Sequence, residues 1–193
     1  MSAVRTAAGA LLRSRDRATS VLTVAAFALP HAFLLAVTGG VMAFGARAAV
    51  AATSATADDS SSLDGMASFY VMLAYFAATL LIVPIISMGA AAARLGMSRR
   101  ERDLAVLRLV GLAPGKTKLA CILETCVFAA VGVLVGSILY AATLPAWGAL
   151  SFQGRPMGVP EMWVGVVALL VEGLAMILLA ALSSWLAMRK VAI

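Results

Sequence analysis

Four apolar runs, each long enough to cross a lipid bilayer, take up most of this chain. They cover residues 20–45, 68–93, 119–144 and 163–188. A hydrocarbon core about 30 Å thick needs about 20 helical residues, so each run can span with some tilt. Hydrophobic residues make up 63% of the 193 and charged residues 12%, so lipid rather than a folded soluble core must cover this surface. The expected fold class is all-α, a polytopic membrane protein with four transmembrane helices forming a single domain over residues 1–193. Neither outer loop is long enough for a soluble domain.

Charge placement orients the spans. The formal net charge is +6, but the charges cluster at the ends of apolar runs, which argues against a nucleic-acid partner. Arg5, Arg13, Arg15 and Arg17 precede the first span. Arg94, Arg99, Arg100, Arg102, Arg108, Lys116 and Lys118 lie between the second and third, and Arg189 and Lys190 follow the fourth. Thirteen of the 15 basic residues therefore share one side, which is cytoplasmic by the positive-inside rule, with both termini inside. The other side carries Arg47 and Arg155 with Asp58, Asp59, Asp64 and Glu161. The expected location is the bacterial cytoplasmic membrane, with lipid as an obligate partner.

Residues 1–19 carry Val4, Ala7, Ala8, Leu11 and Leu12 at helical spacing among Arg5, Arg13 and Arg17, the pattern of a helix lying in the cytoplasmic interface. The small-x-small sequence Ala46-Arg47-Ala48 resembles a signal cleavage site. The apolar stretch before it exceeds the roughly 7–15 residues of a signal core, so it is read as a retained first span. The outer segment 46–67, rich in Ala, Ser, Thr and Asp, has linker composition. The outer segment 145–162 holds Gly154, Pro156, Gly158 and Pro160, with Trp147 and Trp163 placed as interfacial anchors, and is rich enough to form a short structured cap.

The best-specified element lies in the basic loop between the second and third spans. Ser98 followed by Glu101 makes a capping box, and Glu101 and Asp103 sit where the helix dipole favours negative charge. Leu104, Leu107 and Val110 share one face; Gly111 ends the helix and Pro114 stops it resuming. The predicted helix covers residues 98–111. Joining two antiparallel spans takes only a few residues, so this one has length to spare for a partner.

From Arg100 to Gly111, and on through Lys116, Lys118 and Glu124, the chain resembles the FtsX-like permease family, which includes the membrane subunits of MacB-type ABC transporters. Members show an R-x-R-E-x-A-x-L-R-x-x-G-like stretch before the third span. Arg100, Arg102, Ala105, Leu107, Arg108, Gly111 and Glu124 match that style, with Asp103 at the acidic position. The resemblance implies a permease subunit or half-subunit that couples ATP hydrolysis, by a dimer of separate cytosolic ATPases, to export or extraction of an amphipathic substrate. ATP and Mg²⁺ would be bound by the ATPase and no cofactor by this chain. Arg100, Glu101, Arg102, Leu104, Leu107, Arg108, Val110 and Gly111 would form the ATPase-coupling helix. The alternative is a non-transporting membrane scaffold or regulator driven through the same helix. The large extracytoplasmic domain of MacB-like members has no counterpart between the first two spans, so functions of that domain do not carry over. The ending just past the fourth span resembles the first half of a permease in which two such units are fused, so a second four-span unit (a copy, a paralogue or a fused half) is expected as partner.

Enzymatic readings find no support in the motifs. Gly115-Lys116-Thr117 lacks the upstream Gly of a phosphate loop, a single His rules out a His-pair metal motif, and no G-x-S-x-G occurs. No catalytic or metal-ligating residue is assigned. Cys121 and Cys126 are expected as free thiols on the reducing side. Within the spans, His31 follows Pro30 and is expected to pack against a partner in another helix. Glu172 stands well inside the fourth span, where a lone acid is costly. A contact with His31, a contact with substrate, and a protonated hydrogen-bonded carboxyl are all open for it. Glu124 is expected to pair near the interface. Gly132 and Gly136 form a GxxxG pattern that allows close helix approach, inside this bundle or against a second unit. Pro84 is a candidate hinge, and Pro145 is expected to mark the end of the third span.

Overall fold

The computed structural model of the chain describes residues 17–54, 68–84, 87, 114–152 and 155–190, the side chains of 114–117 and 187–190 excepted. The described residues are almost entirely helical: α1 (Arg17–Ser54), α2 (Ser68–Pro84), α3 (Pro114–Trp147), α4 (Val159–Met162) and α5 (Gly165–Lys190). A two-stranded antiparallel hairpin, β1 (Ser151–Phe152) with β2 (Arg155–Pro156), sits between α3 and α4. Three stretches are helical, long and apolar enough to cross a membrane: Arg17–Thr53, Lys118–Trp147 and Val159–Leu186. α2 is a shorter apolar helix. The remainder of the expected second span, and the whole of the predicted 98–111 helix, lie outside the described residues.

Several boundaries differ from those the sequence suggests. α1 has 38 residues and is about 57 Å long, well beyond the hydrocarbon thickness. Its start at Arg17 takes in the end of the expected interfacial segment 1–19, whose first 16 residues lie outside the described part. At the other end the helix runs past position 45 to Ser54, because Ala48, Ala49, Ala51 and Ala52 are strong helix formers. The first part of the expected outer linker is thus helical. Pro114 opens α3, a position where its missing N–H costs nothing. Pro145 lies inside α3, which ends two residues later at Trp147, with the Gly148 amide donating to the Pro145 carbonyl at 3.2 Å. The last span begins at Gly165 rather than 163. Trp163 is extended and ends α4, and Gly165 adopts φ +81°, a left-handed turn suited to glycine, as the chain enters α5.

α3 is the central element, packed extensively against α1 and also against α5. Its buried residues recur as Cys121, Thr125, Phe128, Gly132, Gly136, Tyr140 and Leu144, a helical stripe, while Leu123, Val127, Val131, Leu134 and Ile138 face outward. Such outward Leu, Val and Ile suit a lipid surround. Two apolar clusters result. Phe27, Phe128, Ala129, Met176 and Ala180 fill one half of the bundle. Leu35, Ala43, Tyr140, Leu144, Met157, Met162 and Val164 fill the other, under the hairpin and α4. The bundle tightens at the two α3 glycines. A Cβ on Gly132 would lie 2.5 Å from Phe27 Cβ, and one on Gly136 would lie 2.6 Å from the Ala28 carbonyl. Both face α1, so the GxxxG seam lies within this bundle.

Candidate functional site between the helices

The interior of the bundle carries polar pairs at several levels. Near the start of α3, Thr125 Oγ1 donates to the Cys121 carbonyl at 2.9 Å and lies 3.4 Å from Ser184 Oγ of α5, whose hydroxyl can donate to it. Glu124 is in the same turn and is buried, 3% exposed. Cys121 is buried, Cys126 is half-buried, and both are free thiols.

One level along, His31 is wholly buried beside Gly136, and its Nε2 lies 3.3 Å from Ser137 Oγ of α3. The absence of a Cβ on Gly136 lets the His31 ring pass close to the α3 backbone: an added Cβ would be 3.2 Å from both Cβ and Cδ2 of His31. The polar neighbour of the imidazole is thus on α3.

Glu172 takes a different partner. Thr38 Oγ1 of α1 donates to Glu172 Oε1 at 2.6 Å, while its Oε2 is buried with no donor reaching it among the described residues. Thr38 is seven residues beyond His31, two helical turns or about 10 Å along α1. A Glu172–His31 contact is therefore not formed, because antiparallel packing brings Glu172 level with Thr38. Tyr140 lies between these elements. Its hydroxyl donates to the Met162 carbonyl and accepts from the Val164 amide at 3.3 Å, and its ring stacks on Trp163 with centroids 6.5 Å apart. Gly39 makes room for that link, since a Cβ there would lie 2.5 Å from the Met162 carbonyl.

The end of the bundle where α1 finishes is closed by a clamp that sequence reading missed. Arg47 Nε donates to Glu161 Oε2 at 2.7 Å, and its two terminal nitrogens donate to the carbonyls of Phe152 at 2.7 Å and Pro156 at 2.9 Å. One guanidinium thereby joins the extension of α1 to β1, β2 and α4. Phe44 supports the same corner, edge-on to Phe152 and stacked on Tyr70 of α2. The one available signal was that Arg47 is one of just two basic residues on the side the sequence suggests to be outer. Thr38, Ser137 and Tyr140 carried no signal, since Thr, Ser and Tyr are ordinary in spans.

Arg100, Glu101, Arg102, Leu104, Leu107, Arg108, Val110 and Gly111 lie outside the described residues. Pro84 is the last residue of α2, and most of the expected span beyond it lies outside the described residues. Among the described residues, no group of three or more His, Cys, Asp or Glu is arranged to hold a metal ion.

Comparison with known proteins adds one match. The family model described as FtsX-like permease C-terminal matches residues 75–193, more than half of the chain. No curated protein and no solved structure matches it.

Proposed function

The chain belongs to the FtsX-like permease family, an ABC-transporter type of membrane subunit, and from that premise we propose that it couples ATP hydrolysis by a separate cytosolic ATPase dimer to export or extraction of an amphipathic substrate. The observation that carries the reading is the family match over 75–193, which takes in the basic 98–111 segment and all of α3 to α5. In this reading the chain crosses the bacterial cytoplasmic membrane four times, the second crossing including α2, with both termini inside. The Leu104, Leu107 and Val110 face, framed by Arg102 and Arg108, docks on the ATPase. ATP and Mg²⁺ stay with that partner.

The geometry suits such coupling. α3 is a 34-residue helix, about 51 Å long, that starts three residues after the predicted coupling helix. A push at its cytosolic end is delivered along a rigid rod to the outer cap, where Tyr140 and the Arg47 clamp pass it to α1 and α4. Close packing favours rigid-body or shear movement over local bending. Four helices are few to enclose a transport path, so the working unit has a second four-span half, giving eight or more spans around two ATPases.

Purification in mild detergent tests this. The expected complex contains an ATPase dimer and two four-span units, and moves an amphipathic substrate in an ATP-dependent manner after reconstitution. A complex with no ATPase, or an active complex with one four-span unit, refutes the reading. ATP turnover without substrate movement would favour a regulator.

A further inference from the structure

Glu172, in the first third of α5, stands among Leu170, Val171 and Leu174, all turned outward. The groups that face it are few. From α1 it meets Thr38, while His31 bonds Ser137 instead. From α3 the titratable neighbour is Tyr140, whose hydroxyl is taken up by Met162 and Val164. On α4, Glu161 is paired with Arg47. Among the described residues no basic side chain forms an ion pair with Glu172.

An ionised carboxylate spreads its charge over both oxygens. Here one oxygen has a single hydroxyl donor and the other is buried with none. In hydrocarbon that arrangement is strongly unfavourable. The neutral acid fits the same atoms better. A hydroxyl both donates and accepts, so the 2.6 Å contact can run from Thr38 to a carbonyl oxygen or from the acid O–H to Thr38. In the second arrangement Thr38 is free to donate to a carbonyl one turn back in α1, as Thr commonly does in helices. Oε2 is then a carbonyl acceptor without a partner, the better tolerated kind of defect.

We infer that Glu172 is an intramembrane proton-binding site: a neutral carboxyl that, through Thr38, ties α5 to α1. The inference rests on α1 and α5 lying in lipid and is independent of the ATPase reading. Its consequence for a moving bundle is direct. Parting α1 from α5 admits water to the carboxyl, which then releases its proton, and closing the pair takes it up again.

The test is infrared spectroscopy of the whole chain in lipid nanodiscs at neutral pH. The wild-type minus Glu172→Gln difference spectrum should contain a carboxylic C=O band, and Thr38→Val should move that band to higher frequency by removing its hydrogen bond. A difference spectrum holding the two carboxylate bands and no carboxylic band overturns the inference. If Glu172→Gln does not fold, the wild-type minus Thr38→Val spectrum decides. A displaced carboxylic band supports the site; displaced carboxylate bands, or no displacement, overturn it.

Discussion

Gly136→Ala should destabilise the bundle, whereas Gly40→Ala should not. The added Cβ at 136 falls 2.6 Å from the Ala28 carbonyl oxygen and 3.2 Å from two atoms of His31. A relaxed C···O contact is about 3.3–3.6 Å, so α1 and α3 must part by up to about 1 Å. Backbone cannot swing aside like a side-chain tip. A gap of about 0.5–1 Å forfeits a quarter to a half of the attraction between the atoms it separates. Overpacking of this kind costs about 1–3 kcal/mol. Against it stands the gain of Ala over Gly in a helix, about 1 kcal/mol. At Gly40 of α1 an added Cβ meets nothing within 4 Å, so the propensity gain alone remains. Since that gain is common to both variants, their difference isolates the contact and should be about 1–3 kcal/mol, with Gly136→Ala the less stable. Unfolding by a denaturing detergent in mixed micelles, followed by fluorescence of Trp147, Trp163 and Trp185, measures it. A difference below about 0.5 kcal/mol, the ordinary scatter of surface substitutions, would refute the seam.

The other predictions follow from charge, the coupling helix and the outer clamp. With Cys121 and Cys126 replaced, a Cys at position 100 should resist an impermeant thiol reagent applied from outside; labelling there would reverse the topology. Leu107→Asp places a charge in the proposed docking face, so it should abolish ATP-driven substrate movement while leaving membrane insertion normal, and a well-expressed variant with full transport would exclude that face. Arg47→Gln removes charge-assisted bonds to two carbonyls and Glu161. At about 1.5–3 kcal/mol for bonds to a charged group, discounted because Glu161 is 40% exposed, local opening of residues 150–163 should rise about tenfold in hydrogen exchange. Unchanged exchange there would mean that the hairpin holds without the clamp.

What the sequence determined by itself is whatever follows from runs of a single chemistry. The three long apolar helices were legible because lipid demands continuous hydrophobic length. The family was legible because the Arg100–Gly111 stretch and Glu124 occur at fixed positions in one strand of chain. Gly132 and Gly136 announced a close approach by their spacing, though not which helix would make it. Helix ends were less legible, because alanine serves lipid and water equally well and let α1 continue from position 45 to Ser54. The pairing of polar side chains could be decided by tertiary structure alone. Residue counting left a contact with His31, a contact with substrate and a protonated hydrogen-bonded carboxyl all open for Glu172, and the antiparallel register of α5 against α1 sets it beside Thr38, two turns from His31. Arg47 stood out by its expected side of the membrane, yet its three partners come from residues 152, 156 and 161, more than 100 positions along the chain. Hydrophobic length and topology are sums over a segment and survive small errors of register. A hydrogen bond requires two atoms within about 3 Å, and that distance is set when whole helices dock.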